Sequence, residues 1–419
     1  MDAALSHRPA SPIRLAVVAV LAGVGSGLAG ALISVVLHGL EQVAFGYSEG
    51  SFLDGVTTSP PERRIIALAI AGVIGGVGWY ALRRWARPVV SVEASVAGER
   101  MPTSSTAANV GLQVAIVGLG ASIGREVAPR ELGALTAAWL SDKARLSSRQ
   151  RRIFVACGAG AGLAAVYNVP LGGALFTVEV LLSELSFATV IPALAISAIA
   201  TIVGWIAVPT TALYVLPRVF VTPSLVIWAV IVGPVLGVAA SGFVRLIGLA
   251  GEHRRRGWLI LLVMPAVFLG VGLLSIPFPV ILGNGRALGQ TAFDGGSGLA
   301  AVAMIATLAL VKVVATAGTI GSGAAGGTLT PSVAVGACLG AAAGGIWSMF
   351  WPGTPIAAFA LVGAAAFLSS TLAAPFTAVI LMIEFTHEGP QLIVPIALAV
   401  VGALLVSRFL SRGHLVGSP

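Results

Sequence analysis

From Val313 to Ile383 the sequence runs for 71 residues without one Asp, Glu, Lys or Arg. A stretch that long and that apolar suits the hydrocarbon core of a bilayer, where one spanning helix takes about 17–25 apolar residues. Seven further uncharged runs precede it: Leu15–Leu37, Ile65–Leu82, Met101–Gly124, Ile153–Val178, Leu185–Pro217, Val219–Val244 and Gly257–Gly285. Only 10% of the chain is charged, against about 25% in soluble domains. Backbone groups in lipid must be satisfied within the chain, and helices do this segment by segment. An all-α polytopic membrane protein is therefore expected. The first run is too long for a signal-peptide core and no small-residue cleavage site follows it, so it reads as a retained helix.

The formal charge of +8 is carried in short loops: Arg83, Arg84 and Arg87; Lys143, Arg145, Arg149, Arg151 and Arg152; Arg254, Arg255 and Arg256. Such clusters mark cytoplasmic ends of membrane spans. No basic face alternates with aromatics as a nucleic-acid surface would. Cys157 and Cys338 lie in apolar runs and read as small packing residues, not as a disulfide or metal site. No metal and no cofactor is expected.

The chain repeats itself. Cys157–Glu179 (CGAGAGLAAVYNVPLGGALFTVE) matches Val362–Glu384 (VGAAAFLSSTLAAPFTAVILMIE) at an offset of 205 residues, aligning Pro170 with Pro375 and Glu179 with Glu384. Upstream, Gly124–Ala134 (GREVAPRELGA) matches Gly327–Ala337 (GTLTPSVAVGA) at an offset of 203. Duplicated membrane segments interrupted by Gly and Pro in corresponding places point to a transporter whose binding site lies where broken helices meet. The organisation expected is a short cytoplasmic N-terminus (1–14), a first membrane repeat (15–207), a connection (208–222), a second repeat (223–412) and a short tail (413–419) with no regulatory domain.

Two stretches have the chemistry of an anion site. Gly124-Arg125-Glu126 closes an uncharged run and opens a helix expected to run toward Trp139. The first N–H groups of a helix lack internal partners, and its dipole makes that end attractive to anions. Glu126 sets a protonatable carboxylate there, where it can stand in for an anion; an intramembrane ionisable residue is a functional candidate by default. Gly326-Gly327-Thr328-Leu329-Thr330-Pro331 is the uncharged counterpart, a glycine turn feeding a helix with proline in its first turn.

In order along the chain, Gly124-Arg125-Glu126, Tyr167-Asn168-Val169-Pro170-Leu171, Gly327-Thr328-Leu329-Thr330-Pro331 and Ala374-Pro375-Phe376-Thr377 ending in Glu384 resemble the landmarks of the CLC family of chloride channels and proton-coupled chloride transporters. The resemblance implies a two-fold inverted repeat with broken and re-entrant helices, in a homodimer with one pore per subunit. It makes Glu126 the protonatable gate and the backbone amides of Arg125, Glu126, Val127, Thr328 and Leu329 the anion ligands, with Gly124, Gly326 and Gly327 as motif glycines. The implied function is transport of a small anion, chloride first, through the cell membrane of a bacterium. The partners are the anion, protons and lipid, and the protein is not an enzyme.

The chain departs from the family pattern at several points. Val127-Ala128 replaces Gly-Pro after the gate, and Leu329 replaces Phe. The serine loop is not recognisable, its nearest counterpart being Pro88–Glu93, and no tyrosine follows Phe409. The family's inner proton-handling glutamate falls at Val180, beside Glu179; valine there resembles the channel branch. Channel and antiporter both stand, as does exchange of fluoride or another anion. From another class, Gly295-Gly296-Ser297-Gly298 has the pattern of an intramembrane serine protease. That chemistry needs a base beside Ser297, and the five histidines, His7, His38, His253, His387 and His414, fall near span ends or in loops.

Overall fold

The computed structural model describes residues 11–217 and 219–415. Of the expected tails, residues 1–10 (with His7) and 416–419 lie outside the described residues, as does Arg218 in the connection. Helices come in the order α1 (Pro12–Phe45), α2 (Phe52–Thr58), α3 (Pro61–Trp85), α4 (Val92–Val96), α5 (Thr103–Gly118) and α6 (Val127–Lys143). Next are α7 (Ser148–Tyr167), α8 (Pro170–Leu175), α9 (Phe187–Gly204), α10 (Pro223–Glu252), α11 (Ile260–Leu274) and α12 (Arg286–Phe293). The series ends with α13 (Leu299–Gly321), α14 (Leu329–Ser348), α15 (Ile356–Leu372), α16 (Pro375–Thr386) and α17 (Ile393–Leu415). Among the described residues eight helical segments are long and apolar enough to cross a membrane. The segments Pro170–Leu181 and Pro375–Thr386 are apolar but too short to cross, as broken or re-entrant helices are.

The chain forms two compact units. The first takes Met1–Val35, Ala86–Val110 and Val127–Thr210; the second takes Val36–Trp85, Gly111–Glu126 and Thr211–Pro419. In the first, α7 packs against α6 and α9, and every residue from Ile153 to Tyr167 is buried. In the second, α14 packs against α15, α10 against α17, and α3 against α11; Ala357–Ser370 of α15 is likewise buried throughout. A helix apolar all round is one with no water-facing side, which explains why neither α7 nor α15 shows an amphipathic pattern.

Small residues let these helices approach backbone to backbone. A Cβ added at Gly158 of α7 would strike the Gly133 carbonyl of α6, and one added at Gly363 of α15 would strike the Gly340 backbone of α14. Gly158 and Gly363 are mates in the 205-residue repeat. The repeat is also legible in the backbone. The helix α7 ends on Asn168 in the left-handed region (φ 57°, ψ 48°), and α15 ends on Ala373 in the same region (φ 53°, ψ 31°). Each is followed by one residue and then by proline as the first residue of a new helix. Proline's missing N–H costs nothing there. Asn tolerates the left-handed cap, whereas Ala373 takes it at a cost of about 1–2 kcal/mol, which the fully buried α15 around it sustains.

Basic clusters gather at one end of the second unit. Arg83, in the last turn of α3, donates to the Arg255 carbonyl (3.3 Å) and the Gly323 carbonyl (2.6 Å). Basic residues favour the cytoplasmic side of a membrane, which is the side expected for that end; the α1–α3 connection lies at the other end of α3.

Gly363→Val would force α14 and α15 apart. We expect a loss of about 1–3 kcal/mol, read as a lower thermal midpoint in detergent, with Gly389→Ala, whose added Cβ meets nothing, as the tolerated control.

Candidate functional site: a buried carboxylate on a helix start

The two motif glycines meet. Gly124 donates to the Gly327 carbonyl (2.7 Å) and Gly327 donates back to the Gly124 carbonyl (3.0 Å), a reciprocal antiparallel bridge. A Cβ on either residue would meet the Glu126 carboxylate, so glycine at both positions leaves the carboxylate where it lies. Gly326 beside them has no room for one either, since it would press on Ile123.

Glu126 is 1% exposed. Its Oε1 accepts the Leu329 amide at 2.6 Å and its Oε2 accepts the Thr330 hydroxyl at 3.1 Å. Leu329 is the first residue of α14 and Thr328 its N-cap, so the carboxylate occupies the end of a helix where free N–H groups and the dipole favour an anion. Hydrogen bonds to a charged acceptor contribute about 1.5–3 kcal/mol each. A carboxylate held this way is replaceable: protonation weakens its claim on the Leu329 amide, and a small anion has the charge to take its place.

The structure brings Gly124, Arg125, Glu126, Gly326, Gly327, Thr328 and Leu329 together in the second unit. Val127 begins α6 directly after Glu126. Both helix starts have proline at their third residue, Pro129 in α6 and Pro331 in α14, where the missing N–H costs no internal hydrogen bond. Glu179 and Val180 lie in the first unit, in a π-helical turn over Phe176–Leu181 that continues α8. Both are partly buried. Such a turn inserts an extra residue into the helical register, so Val180 faces differently from the corresponding residue of a regular helix. In the same unit Ser91 spends its hydroxyl on capping α4, accepting the Ala94 amide at 3.2 Å. Ser297 is exposed in the loop before α13, an open setting for a nucleophile.

A residue that sequence reasoning missed buttresses the loop leading into the site. Lys312 of α13 is 0% exposed. Its ammonium donates to Ser122 Oγ (2.9 Å), the Ile281 carbonyl (2.9 Å) and the Gly283 carbonyl (2.7 Å), satisfying all three donors with neutral oxygens. Ser122 stands two residues before Gly124. A Cβ at Gly285 would touch both the Lys312 side chain and the Thr330 carbonyl, which places the lysine against the first turn of α14. The single lysine at the edge of a 71-residue uncharged run was the available signal.

The voltage-gated chloride channel family model matches residues 72–408, most of the chain. The chain belongs to this family, the CLC family. It is a multi-pass membrane protein of an anion-transport family. The voltage-gated ClC-type chloride channel ClcB of Escherichia coli O9:H4 (strain HS) is 29% identical over 389 residues, covering 90% of this chain and 91% of that protein. A slow cyanobacterial Cl−/H+ antiporter superposes with a TM-score of 0.80 at 21% identity, covering 97% of this chain and 96% of that one. A CLC-type fluoride/proton antiporter does so with a TM-score of 0.74 at 21% identity, covering 94% and 95%. At that identity the two structures establish the CLC fold, in agreement with the broken-helix repeat read from the sequence.

Two substitutions probe this geometry. Gly327→Ala displaces the carboxylate from the Leu329 amide; anion flux in proteoliposomes at neutral pH should rise toward its acid-pH value, and flux that stays strongly pH-dependent contradicts the assignment. Lys312→Met strands the Ile281 and Gly283 carbonyls and should lower stability by about 3 kcal/mol or more, measured as the thermal midpoint in detergent.

Proposed function

We propose that this CLC protein moves a small anion, chloride first, through a pore whose gate is the Glu126 carboxylate. The observation that carries the reading is the pair of bonds from Leu329 N and Thr330 Oγ1 to Glu126. An ionised carboxylate occupies the helix start and closes the path; a protonated one leaves, and an anion takes the amides of Thr328 and Leu329, with those of Arg125, Glu126 and Val127 as the second set of donors. Binding by partial charges admits an ion and also releases it. The working form is a homodimer in the cell membrane, one pore per subunit, and the chemistry needs no cofactor.

Channel and antiporter differ in whether each anion is tied to a proton. Val180 at the inner proton position favours uncoupled conduction, while the likeness to a chloride/proton antiporter over 97% of this chain favours coupling. Fluoride is the second substrate reading. Its support is the likeness to a fluoride/proton antiporter together with the altered turn at Leu329.

Anion efflux from proteoliposomes, recorded with chloride and proton electrodes together, tests all of this. Chloride efflux driving protons against their gradient establishes exchange; efflux with no linked proton movement establishes a channel. Replacing Glu126 with Gln mimics the protonated side chain, and its flux should lose the pH dependence of the wild type. Wild-type pH dependence in that variant removes Glu126 as the gate.

A further inference from the structure

At the end of the second unit opposite the Arg83 and Arg255 cluster, a cavity of about 190 Å³ opens between the α1–α3 connection and α12. Its lining includes Ser51, Leu53, Leu213, Val215, Arg286 and Gln290. The wall is fixed by two side chains one helical turn apart on α12. Arg286 Nε donates to the Leu213 carbonyl (3.2 Å). Gln290 donates to the Val215 carbonyl (2.7 Å) and accepts the Val215 amide (3.0 Å).

The charges around it favour an anion. Arg125, Glu41, Tyr47 and Tyr214 lie within electrostatic reach of Arg286, and Arg125 is covalently next to Glu126. The Arg125 and Arg286 guanidiniums both act on the Glu41 carboxylate. The carboxylates nearer the lining are engaged: Asp294 accepts from Gln290 (3.0 Å), and Asp54 caps α2, where the Ser51 amide (2.8 Å) and hydroxyl (2.7 Å) both donate to it and hold it below the usual carboxylate range.

We propose that Arg286 and this cavity form an outer anion-binding station, taking a small inorganic anion of the transported class and passing it by way of Arg125 toward Glu126. The inference rests on the anion-transport reading. Guanidinium is weakly hydrated and offers a fixed fork of donors, and a fixed cation in a cleft raises the local concentration of anions and their entry rate. The station acts on capture, so it shows in the anion concentration needed for half-maximal flux, not in the maximal rate.

The test measures initial chloride flux against external chloride, with gluconate keeping ionic strength constant, for wild type, Arg286→Gln, Arg286→Lys and Leu53→Lys. In Arg286→Gln the half-saturating chloride should rise roughly three- to tenfold, with the maximal rate within about twofold. Arg286→Lys keeps the charge and should return the value toward wild type. Leu53→Lys adds a cation to the same wall and should lower it; this arm decides the question if Arg286→Gln fails to fold. Half-saturation unchanged in Arg286→Gln, a fall in maximal rate alone, or indifference to Leu53→Lys overturns the station while leaving transport intact. Wild-type protein without saturable flux of chloride, fluoride or nitrate overturns the transport reading and the station with it.

Discussion

A carboxylate buried at 1% exposure would be expensive if its charge were not met, because isolated charges in low dielectric lose several kcal/mol of hydration. Glu126 meets that cost with the Leu329 amide and the Thr330 hydroxyl, and much of the second unit is arranged to present them. The reciprocal Gly124–Gly327 bridge brings the two loops together. The glycines leave room for the carboxylate, and the helix α14 supplies the dipole behind the amide. Because the hold on Glu126 is a few kcal/mol and depends on ionisation, a proton or a competing anion is enough to undo it.

The loop that carries this carboxylate is anchored from more than one side. Lys312 has every donor satisfied by neutral oxygens, and through them it ties Ser122, two residues before Gly124, to the Ile281 and Gly283 carbonyls. The Gly124–Gly327 bridge then fixes the same loop against the start of α14. The carboxylate is held in place by the backbone path that leads to it as well as by the groups it accepts from.

The membrane helices were legible because uncharged runs and bilayer thickness set the same length. The two proline-led half-helices were legible because Pro170 and Pro375 recur at one offset, and the structure places each after a left-handed cap. Gly124-Arg125-Glu126 and Gly327–Pro331 could be singled out by type. Their direct pairing could not, since two backbone hydrogen bonds across 203 residues leave no side-chain trace. Lys312 escaped for the same reason: two of its three partners are main-chain carbonyls, which any residue supplies. The π-helical turn at Phe176–Leu181 was hidden because its residues have ordinary helical composition.

The Gly124–Gly327 bridge has a consequence for how such a protein can be altered. Each loop is both donor and acceptor to the other, so the two copies of an ancestral element are spliced at the point where they differ most in chemistry, one bearing the carboxylate and the other the amide it covers. A loop transplanted from a relative into one half would carry its own backbone path into that splice and shift the opposite half with it. The two loops are therefore inherited together, and a chimera that exchanges one must exchange both.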